Sequence, residues 1–305
     1  MNTRPILIAG PTASGKSSLA LKIAHEIGGT IINADSQQVY RDWQILTARP
    51  SPEEEAEVPH RLYGHIALDQ DYSVGHWLRE VESLLSECEG RGSRPIITGG
   101  TGLYFKALTE GLAPIPTVPA EIRAAGEAEL ERMGLDGFVA AFEAKDPESA
   151  AKIDLANPRR VLRAWEVLTA TGEGLAMWAA RTPAPLVQLD ACTAIALMPK
   201  RDWLYARCDA RFDVMLAEGA LQEVREVMAM ELPAAAPGLR ALGAPELSAH
   251  LNGEMTLAAA VEKAKTETRR YAKRQLTWQR NQMASWGRLD PSAPDVLEQA
   301  MGLLD

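Results

Sequence analysis

Cysteine is scarce in this chain. Its 305 residues include only Cys88, Cys192 and Cys208, and no two of them form a C-x-x-C pair. That spacing excludes a zinc knuckle and gives no basis for a disulfide framework. We therefore expect three small, buried thiols in a reducing compartment.

Long apolar runs are missing as well. No run approaches the roughly 18 residues of a membrane span. Before Gly10 the chain offers one early cation, Arg4, and the four apolar residues Ile6–Ala9. This start is too short for a signal peptide, so we expect a cytoplasmic protein without membrane contact.

Metal-ligand spacing is absent among the histidines. The five histidines form no ligand pattern with cysteines or carboxylates, so structural or loop roles are expected for them. Basic residues are also outnumbered, since the formal net charge is −9. Taken as a whole, this net charge argues against a general nucleic-acid binder, although the cations are clustered locally, as described below.

The most informative pattern that is present spans residues 10–17 and reads GPTASGKS. It matches G-x-x-x-x-G-K-[ST] between the apolar run Ile6–Ala9 and a predicted helix at Lys16–Ile27, the context of a phosphate-binding P-loop. Backbone N–H groups of such a loop point at phosphate oxygens, the lysine adds a positive charge, and the serine hydroxyl ligates Mg²⁺. The alternative is a chance glycine-rich turn. The predicted phosphate-binding residues are Gly10, Pro11, Thr12, Ala13, Ser14, Gly15, Lys16 and Ser17, with Ser17 as the metal ligand.

Buried strands alternate with helices along the first part of the chain. Strands are predicted at Ile6–Ala9, 30–34, 95–98 and Thr193–Leu197. This alternation indicates an α/β fold with a P-loop parallel sheet as its core. Ligands bind at the carboxyl ends of such strands, where the P-loop, Asp35 and the glycine turn at 99–102 fall.

After Gly111 the predicted secondary structure is mainly helical. We predict that residues 113–183 form a helical insertion, with helices at 120–133, 137–145 and 158–171. Residues 1–112 and 184–305 then form the P-loop core with its C-terminal helices. In that last part we expect one long helix at 203–230, a proline-punctuated linker around Pro233, Pro237 and Pro245, and a second long helix at 256–286.

Two polar sites flank the P-loop in this arrangement. Asp35 follows the second strand and suits a general base or a partner of Mg²⁺, and the sequence does not choose between them. A turn or helix-capping role is the alternative. In the glycine turn, Thr101 offers a hydroxyl to a phosphate or a bound base, whereas a tight turn that merely needs glycine is the simpler interpretation.

Basic residues are concentrated near the C-terminus. Between Thr268 and Leu289 no acidic residue interrupts six cations, five of which share roughly 140° of a helix beside Tyr271 and Trp278. A second cluster starts a helix after Pro158. Both patterns predict phosphate neutralisation, while a solvated face paired with distant acids, and aromatic residues serving as core anchors, are the alternatives. The cations are Arg269, Arg270, Lys273, Arg274, Arg280 and Arg288 in the first cluster, and Arg159, Arg160 and Arg163 in the second.

Together these motifs resemble the tRNA dimethylallyltransferases, the bacterial tRNA isopentenyltransferase family. A P-loop alone is shared with many kinases, whereas its combination with the other segments is specific, and the segments span the chain from end to end. The matching segments are GPTASGKS at 10–17, DSQQVYR at 35–41, TARP at 47–50, GGTGLYFKAL at 99–108, NPRRVLRAWEVLTATG at 157–172 and TRRYAKRQLTWQR at 268–280.

The resemblance implies a reaction and its participants. Dimethylallyl diphosphate donates its five-carbon group to N6 of adenosine 37 in the tRNA anticodon loop, with Mg²⁺ as cofactor. It implies catalytic roles for Asp35, Thr101 and Lys16, with Asp35 as the candidate base. The implied tRNA contacts are Asp35, Ser36, Gln37, Gln38, Thr101, Arg123, Arg159, Arg160, Val161, Leu162, Arg163, Lys273, Arg274, Gln275, Thr277, Trp278 and Arg280.

Some positions depart from the family's usual pattern. Leu46 stands where a glycine is usual, Arg61 replaces the second of two histidines, and Ala244-Pro245 replaces Tyr-Lys. Other functions remain as alternatives: a P-loop kinase of a nucleoside or small metabolite, a non-enzymatic RNA-binding module, and a prenyltransferase that uses free AMP. No feature suggests an obligate assembly, so we expect a monomer.

Overall fold

Six parallel strands form one sheet in the computed structural model, which describes residues 3–304. Their spatial order is β3-β2-β4-β1-β5-β6, and every neighbouring pair is parallel. The predicted α/β class with a parallel sheet is therefore confirmed. The strands are β1 (Ile6–Ala9), β2 (Thr30–Asn33), β3 (His60–Arg61), β4 (Pro95–Gly99), β5 (Thr193–Leu197) and β6 (Gly287–Leu289).

The central strand β1 is buried on both faces. Successive side chains of a strand point to opposite sides, so Ile6 and Ile8 pack in one core cluster while Leu7 and Ala9 pack in the other. This two-sided burial explains why β1 is a continuous apolar run without alternation. The strands predicted at Ile6–Ala9 and Thr193–Leu197 have the observed bounds.

Thirteen α-helices lie within residues 3–304, and none of them is both long and apolar enough to cross a membrane. The first helix has its predicted bounds and is capped by Gly28, whose φ of 68° is the left-handed conformation that glycine adopts readily. The helices are α1 (Lys16–Ile27), α2 (Pro52–Glu57), α3 (Val74–Arg91), α4 (Gly102–Glu110), α5 (Ala120–Lys145), α6 (Pro147–Ala150), α7 (Pro158–Thr171), α8 (Leu175–Ala180), α9 (Arg201–Ala217), α10 (Ala220–Met228), α11 (Ala244–Leu251), α12 (Leu257–Gln282) and α13 (Val296–Gly302).

The chain divides into two compact units. One combines the segment up to Thr109 with the segment from Leu186 onward, and it contains the whole sheet. The other is Glu110–Pro185, within which the predicted insertion at 113–183 lies. This second unit has a core of its own around Phe138, Phe142 and Val161.

The insertion contains the predicted break in its first long helix. Gly134 has a φ of 68° and interrupts α5, so that helical chain runs on either side of it. This position lies between the helices expected at 120–133 and 137–145. The helix predicted at 158–171 is α7, with Asn157 as its N-cap.

Two predictions for the C-terminal part were wrong, and a third, the last long helix, was right except for its final four residues. The single helix expected at 203–230 is split into α9 and α10, because Gly219 has a φ of 110° that a helix cannot accommodate. The expected linker contains α11, since Pro245 lies in its first turn, where a missing N–H costs nothing. The last long helix, α12, ends at Gln282 and is followed by the short strand β6.

Candidate active site

Three loops meet at the carboxyl ends of β1, β2 and β4. The backbone N–H of Gly10 donates to the carbonyl of Gly99 at 3.2 Å, and the N–H of Thr101 donates to the carbonyl of Ala34 at 3.1 Å. Main-chain hydrogen bonds therefore join the P-loop, the segment after β2 and the glycine turn. This is the edge of a parallel sheet at which ligands bind.

The turn at 99–102 needs glycines because other parts of the protein pack closely against it. A Cβ on Gly99 would lie 2.1 Å from the carbonyl carbon of Ala34, and one on Gly102 would lie 2.3 Å from the ring of Trp278. No side chain fits at such distances. The close approach at this turn is therefore to the protein itself, and a phosphate contact there stays a prediction.

A polar cavity of about 270 Å³ lies beside the P-loop. Ala13 and Gly15 have positive φ values of 62° and 86°, which curve the loop around this space. We call it the phosphate cavity, because its wall carries four cations and a single carboxylate, Glu54. Its lining includes Gly15, Lys16, Ser17, Arg49, Arg207 and Arg211.

Lys16 is buried in the wall of the phosphate cavity. Its ammonium donates to the carbonyl of Pro11 at 3.4 Å. Burial lowers the pKa of Lys16 to about 8, while the negative charge of Asp35 acts to raise it and the positive charge of Arg211 acts to lower it. An anion in the cavity favours the charged ammonium, so ligand binding and protonation of Lys16 support each other.

Two arginines of the site were not predicted from the sequence. Arg207 donates through Nε to the carbonyl of Ala13 at 2.9 Å, and Arg211 donates to the hydroxyl of Thr12 at 3.4 Å. Both side chains lie on α9 and line the phosphate cavity. The sequence signal was their spacing, because residues four apart share one face of a helix.

Asp35 is buried and held by its own loop. Its backbone N–H donates to Oδ1 of Asn33 at 2.8 Å, and its carboxylate Oδ1 accepts the N–H of Gln37 at 3.0 Å. Asn33 in turn donates to the carbonyl of Leu62 at 3.0 Å, which fixes the turn after β2. The local structure thus sets the direction of the carboxylate before any ligand arrives.

Thr101 contacts the same loop. Its hydroxyl accepts the backbone N–H of Ser36 at 2.9 Å and donates to the hydroxyl of Ser36 at 3.2 Å. The structure therefore brings the three predicted catalytic residues, Asp35, Thr101 and Lys16, to one edge of the sheet.

A second cavity, of about 40 Å³, adjoins Asp35 and is mostly apolar. We call it the apolar cavity. The large apolar and aromatic side chains in its wall are Leu46, Phe212, Met215, Leu242 and Tyr271. It shares Ala13 and Arg211 with the phosphate cavity, so the two cavities have a common wall at the P-loop.

The wall at Leu46 depends on a residue that the sequence did not identify. The buried carboxylate of Glu223, on α10, accepts the backbone N–H groups of Gln44 at 2.6 Å, Ile45 at 2.7 Å and Leu46 at 2.9 Å. A single acidic side chain thereby satisfies three consecutive donors of the loop. The loop continues into Arg49 of the phosphate cavity.

The basic face predicted on the last long helix is partly neutralised. Arg269 donates to Asp209 at 2.6 Å, and Arg270 donates to Glu267 at 2.5 Å. These ion pairs correct the expectation of an acid-free patch. Lys273, Arg274 and Arg280 are exposed on α12 and form no ion pair within residues 3–304.

Some predicted tRNA contacts have buried side chains. Val161 is fully buried in the core of the insertion, and a tRNA contact at this position stays a prediction. Gln38 is buried and donates to the carbonyls of Thr47 at 2.9 Å and Ala48 at 2.8 Å. Gln275 is buried as well, between the P-loop and the glycine turn.

The remaining predicted contacts are more accessible. Arg123, Arg159, Arg160 and Thr277 are exposed, and Ser36, Gln37, Leu162, Arg163 and Trp278 are partly exposed. Arg163 donates to Glu166 at 3.2 Å, which partly neutralises the cluster at the start of α7. Trp278 packs its ring against Gly102, and Tyr271 lines the apolar cavity, so both aromatic residues also serve the fold.

The chemistry of the site does not resemble a protein-only metal centre. Among residues 3–304 no group of three or more His, Cys, Asp or Glu side chains is arranged to hold a metal ion. Cys88, Cys192 and Cys208 are buried free thiols, as expected, and burial raises the pKa of each. Cys208 lines the apolar cavity, but its raised pKa keeps it as the thiol, which is the less reactive form.

Comparison with protein families places these residues in context. The family model described as IPP transferase matches residues 38–282, and one described as isopentenyl transferase matches residues 3–67. Among curated proteins, the tRNA dimethylallyltransferase of Cereibacter sphaeroides (strain ATCC 17029) is 56% identical over 93% of this chain and 88% of its own. That of Dinoroseobacter shibae is 55% identical over 95% of this chain and 96% of its own.

Solved structures give the same picture. The full-length tRNA isopentenylpyrophosphate transferase of Bacillus halodurans is 32% identical, with a TM-score of 0.71 over 99% of this chain and 94% of its own. A eukaryotic dimethylallyltransferase described as acting on tRNA is 27% identical, with a TM-score of 0.82 over 98% of this chain and 77% of its own.

Proposed function

The chain belongs to the IPP transferase family, and we propose that it transfers the dimethylallyl group of dimethylallyl diphosphate to N6 of adenosine 37 in the tRNA anticodon loop. It is a prenyltransferase, and its class of reaction is dimethylallyl transfer to tRNA. The relatives give no support to the alternative of a P-loop kinase. The cytoplasmic location and the monomeric state stay predictions.

One observation carries the proposal: a buried carboxylate lines an apolar cavity, and that cavity shares Ala13 and Arg211 with the cation-lined phosphate cavity. Asp35 and Tyr271 line the first cavity, Lys16 and Arg207 line the second, and Arg211 lines both. An allylic diphosphate has an apolar group joined to a dianionic or trianionic one. The two cavities match these two parts, with the bond to be broken near the P-loop.

The leaving group explains the positive charges. In the proposed reaction the N6 amine attacks C1 of the allyl group, the C1–O bond breaks, and its electron pair departs with diphosphate. Negative charge therefore grows on the diphosphate in the transition state. Lys16, Arg207, Arg211 and the N–H groups of the P-loop lie where they stabilise this charge, and preorganised donors of this kind supply much of a catalytic rate enhancement.

Asp35 is assigned to the acceptor side. The exocyclic amine of adenine is a weak nucleophile, because its lone pair is delocalised into the ring. A base that takes the N6 proton during attack removes that obstacle. Asp35 lines the apolar cavity and is not among the residues that line the phosphate cavity, which favours the role of base over that of metal partner. Thr101 holds the Asp35 loop through Ser36.

The residues beside the P-loop suit Mg²⁺ bound together with diphosphate. Ser17 is exposed in the phosphate cavity, and the buried hydroxyl of Thr98 in the same cavity finds no hydrogen-bond partner in the described part of the chain. Mg²⁺ prefers oxygen ligands and is commonly held by a few protein groups plus substrate phosphates and water. Ser17 would hold the ion, which when bound neutralises charge on the departing diphosphate.

The acceptor is proposed to bind through exposed cations. Lys273, Arg274 and Arg280 on α12 suit phosphate contacts, as do Arg159 and Arg160 on α7. Adenosine must leave its stack to reach Asp35, and extrusion from a loop costs less than extrusion from a duplex. Sequence-independent phosphate contacts supply the binding energy for this step.

A direct assay tests the proposal. The protein is incubated with dimethylallyl diphosphate, Mg²⁺ and unmodified tRNA that carries A36-A37, and nucleosides are analysed by mass spectrometry after digestion. We expect prenylated adenosine and an equal amount of diphosphate, and neither product with a matched tRNA that carries G37. Phosphate transfer from ATP to a nucleoside, without prenylated adenosine, would overturn the proposal in favour of a kinase.

A further inference from the structure

Gln275 joins the two halves of the proposed site. Its side chain is on α12, is 6% exposed, and lies between the P-loop and the glycine turn. The amide Oε1 accepts the backbone N–H of Thr12 at 2.8 Å, and Nε2 donates to the carbonyl of Gly100 at 2.9 Å. Both polar ends of the side chain are thus used inside the protein.

The first of these hydrogen bonds fixes a peptide group that also holds Lys16. The peptide group between Pro11 and Thr12 donates its N–H to Gln275. Its carbonyl accepts the ammonium of Lys16 at 3.4 Å and the N–H of Ser14 at 3.2 Å. A peptide group is planar, so fixing its N–H also fixes its carbonyl. Gln275 therefore sets the direction from which Lys16 is held.

The second hydrogen bond fixes a peptide group on the acceptor side. The peptide between Gly100 and Thr101 has its carbonyl on Gln275, and its N–H donates to Ala34 at 3.1 Å. A Cβ on Gly100 would lie 2.2 Å from Nε2 of Gln275 and 3.2 Å from Oδ2 of Asp35. Gln275, Gly100 and Asp35 are therefore immediate neighbours.

The position of Gln275 on its helix adds a connection to the tRNA surface. Lys273 and Arg274 precede it directly and are exposed, while its own side chain points inward. The helix that carries the proposed phosphate contacts is thus hydrogen-bonded to both halves of the site through one amide.

We propose that Gln275 is a positioning residue, which aligns Lys16 in the P-loop with Asp35 and Thr101 across the site and does not itself contact tRNA. This inference rests on the proposed function. A misalignment of about 1 Å between groups that act on the two ends of the reacting bond is enough to lower a rate by about a hundredfold. Gln275 therefore affects the turnover rate, whereas the exposed Lys273 and Arg274 contribute to the affinity for tRNA.

Two variants of Gln275 distinguish a positioning role from a direct contact with tRNA. Gln275→Met keeps the length of the side chain but removes both hydrogen bonds, and Gln275→Glu keeps an acceptor for Thr12 but removes the donor to Gly100. Gln279→Met is the matched control, because Gln279 is a buried glutamine one turn further along α12 and contacts neither loop by a hydrogen bond within residues 3–304. Melting temperatures of all variants report the purely structural effect.

For Gln275→Met we expect kcat to fall at least 30-fold, while the Kd for tRNA and the KM for tRNA change by less than threefold. We also expect binding of inorganic pyrophosphate with Mg²⁺, measured by calorimetry without tRNA, to weaken severalfold. The control should keep kcat within twofold. An increase in the Kd for tRNA with kcat unchanged would overturn the proposal and make Gln275 a tRNA contact. Equal losses of kcat in Gln275→Met and Gln279→Met would reduce its role to helix packing.

A double-mutant cycle tests the contact itself. Gly100→Ala places a methyl group 2.2 Å from Nε2 of Gln275, so the amide must move, and 3.2 Å from Oδ2 of Asp35, a tight contact that the double variant shares. Because both substitutions break the same hydrogen bond, the losses of kcat in Gly100→Ala and Gln275→Ala should not multiply in the double variant. Fully multiplicative losses would contradict the proposal. If the unmodified protein makes no prenylated adenosine, the proposed function fails, and pyrophosphate binding still reports on Gln275.

Discussion

The carboxylate of Glu223 accepts the backbone N–H of Leu46 at 2.9 Å, and this contact connects α10 to the wall of the apolar cavity. The same carboxylate accepts the N–H groups of Gln44 and Ile45. A loop with three buried donors needs such an acceptor, since an unsatisfied buried N–H is costly.

Removal of this acceptor should destabilise the protein. For Glu223→Ala we expect a loss of about 2–4 kcal/mol in the free energy of unfolding, because three backbone donors lose a charged acceptor. Hydrogen exchange at residues 44–46 should accelerate. Glu226→Ala, an exposed position on the same helix, should change stability by less than about 0.5 kcal/mol. Equal effects of the two substitutions would show that Glu223 does not hold the loop.

Leu46 should set the size of the donor. Its buried side chain closes part of the apolar cavity next to Phe212 and Met215. Leu46→Ala enlarges that space, so we expect the preference for dimethylallyl over geranyl diphosphate, measured as a ratio of kcat/KM, to fall by about tenfold or more. Ile45→Ala, whose side chain is not part of the cavity wall, should leave the ratio unchanged. A ratio that stays the same in Leu46→Ala would place the prenyl group elsewhere.

Asp35 should matter for turnover and not for tRNA affinity. Asp35→Asn keeps the shape of the side chain but cannot take the N6 proton, so kcat should fall by about 10²–10⁴. The Kd for tRNA, measured by filter binding, should change little. Asp42→Asn, a partly exposed neighbour in sequence, serves as the control. Turnover within threefold of the unmodified protein would remove Asp35 from the role of base.

The ionisation of Lys16 should be visible in the pH profile. Its pKa is about 8 in the folded protein, so kcat/KM for dimethylallyl diphosphate should decline as the pH rises above 8 and the ammonium loses its proton. Lys16→Met should have a much lower kcat/KM without this decline. An unchanged profile in Lys16→Met would assign the titration to another group.

The same ionisation affects stability. Compared with the ordinary pKa of 10.5, folded protein binds fewer protons than unfolded chain between pH 8 and 10.5, so the stability of the ligand-free protein should rise with pH in that window. Lys16→Met removes a burial penalty of up to about 3 kcal/mol below pH 8. Its melting temperature should therefore exceed that of the unmodified protein at pH 7, with the difference shrinking towards pH 10.

The exposed cations of α12 should control the salt dependence of tRNA binding. The double variant Lys273→Gln/Arg274→Gln should weaken binding and reduce the slope of log K against log salt by about 1–2. Lys265→Gln is the control on the same helix, because Lys265 is already paired with Asp213 at 2.6 Å. If both variants keep the original slope, these cations belong to the surface of the fold and not to the tRNA interface.

The sheet and the P-loop could be predicted because their signals are local. A short apolar run, a glycine motif and a helix at 3.6-residue spacing identify Ile6–Ala9 and Lys16–Ile27 without any knowledge of the rest of the chain. The three-residue strand β6 has no such signal, since its pairing with β5 is decided by packing. Gly219 is equally ambiguous, because a glycine inside a helical pattern is tolerated or breaks the helix depending on its surroundings.

The residues of the candidate site that belong to short sequence motifs could be predicted from the sequence. Asp35 and Thr101 lie two residues after β2 and β4, and Lys16 ends the loop that follows β1, so their meeting at one edge of the sheet is a consequence of parallel topology. Arg211, Glu223 and Gln275 come from helices far along the chain. Their roles depend on which face of each helix is turned inward, and Gln275 in particular lay inside a basic pattern that suggested an exposed position.

The sheet combines two stretches of chain that the ribosome makes at different times. β1 pairs with β4 on one side and with β5 on the other, and Glu110–Pro185 lies between those partners in sequence. At 5–20 residues per second, synthesis from Gly99 to Thr193 takes roughly 5–20 s. Throughout that delay the second edge of β1 lacks its partner in the nascent chain, so this apolar strand is open to pairing with another chain until β5 has been made.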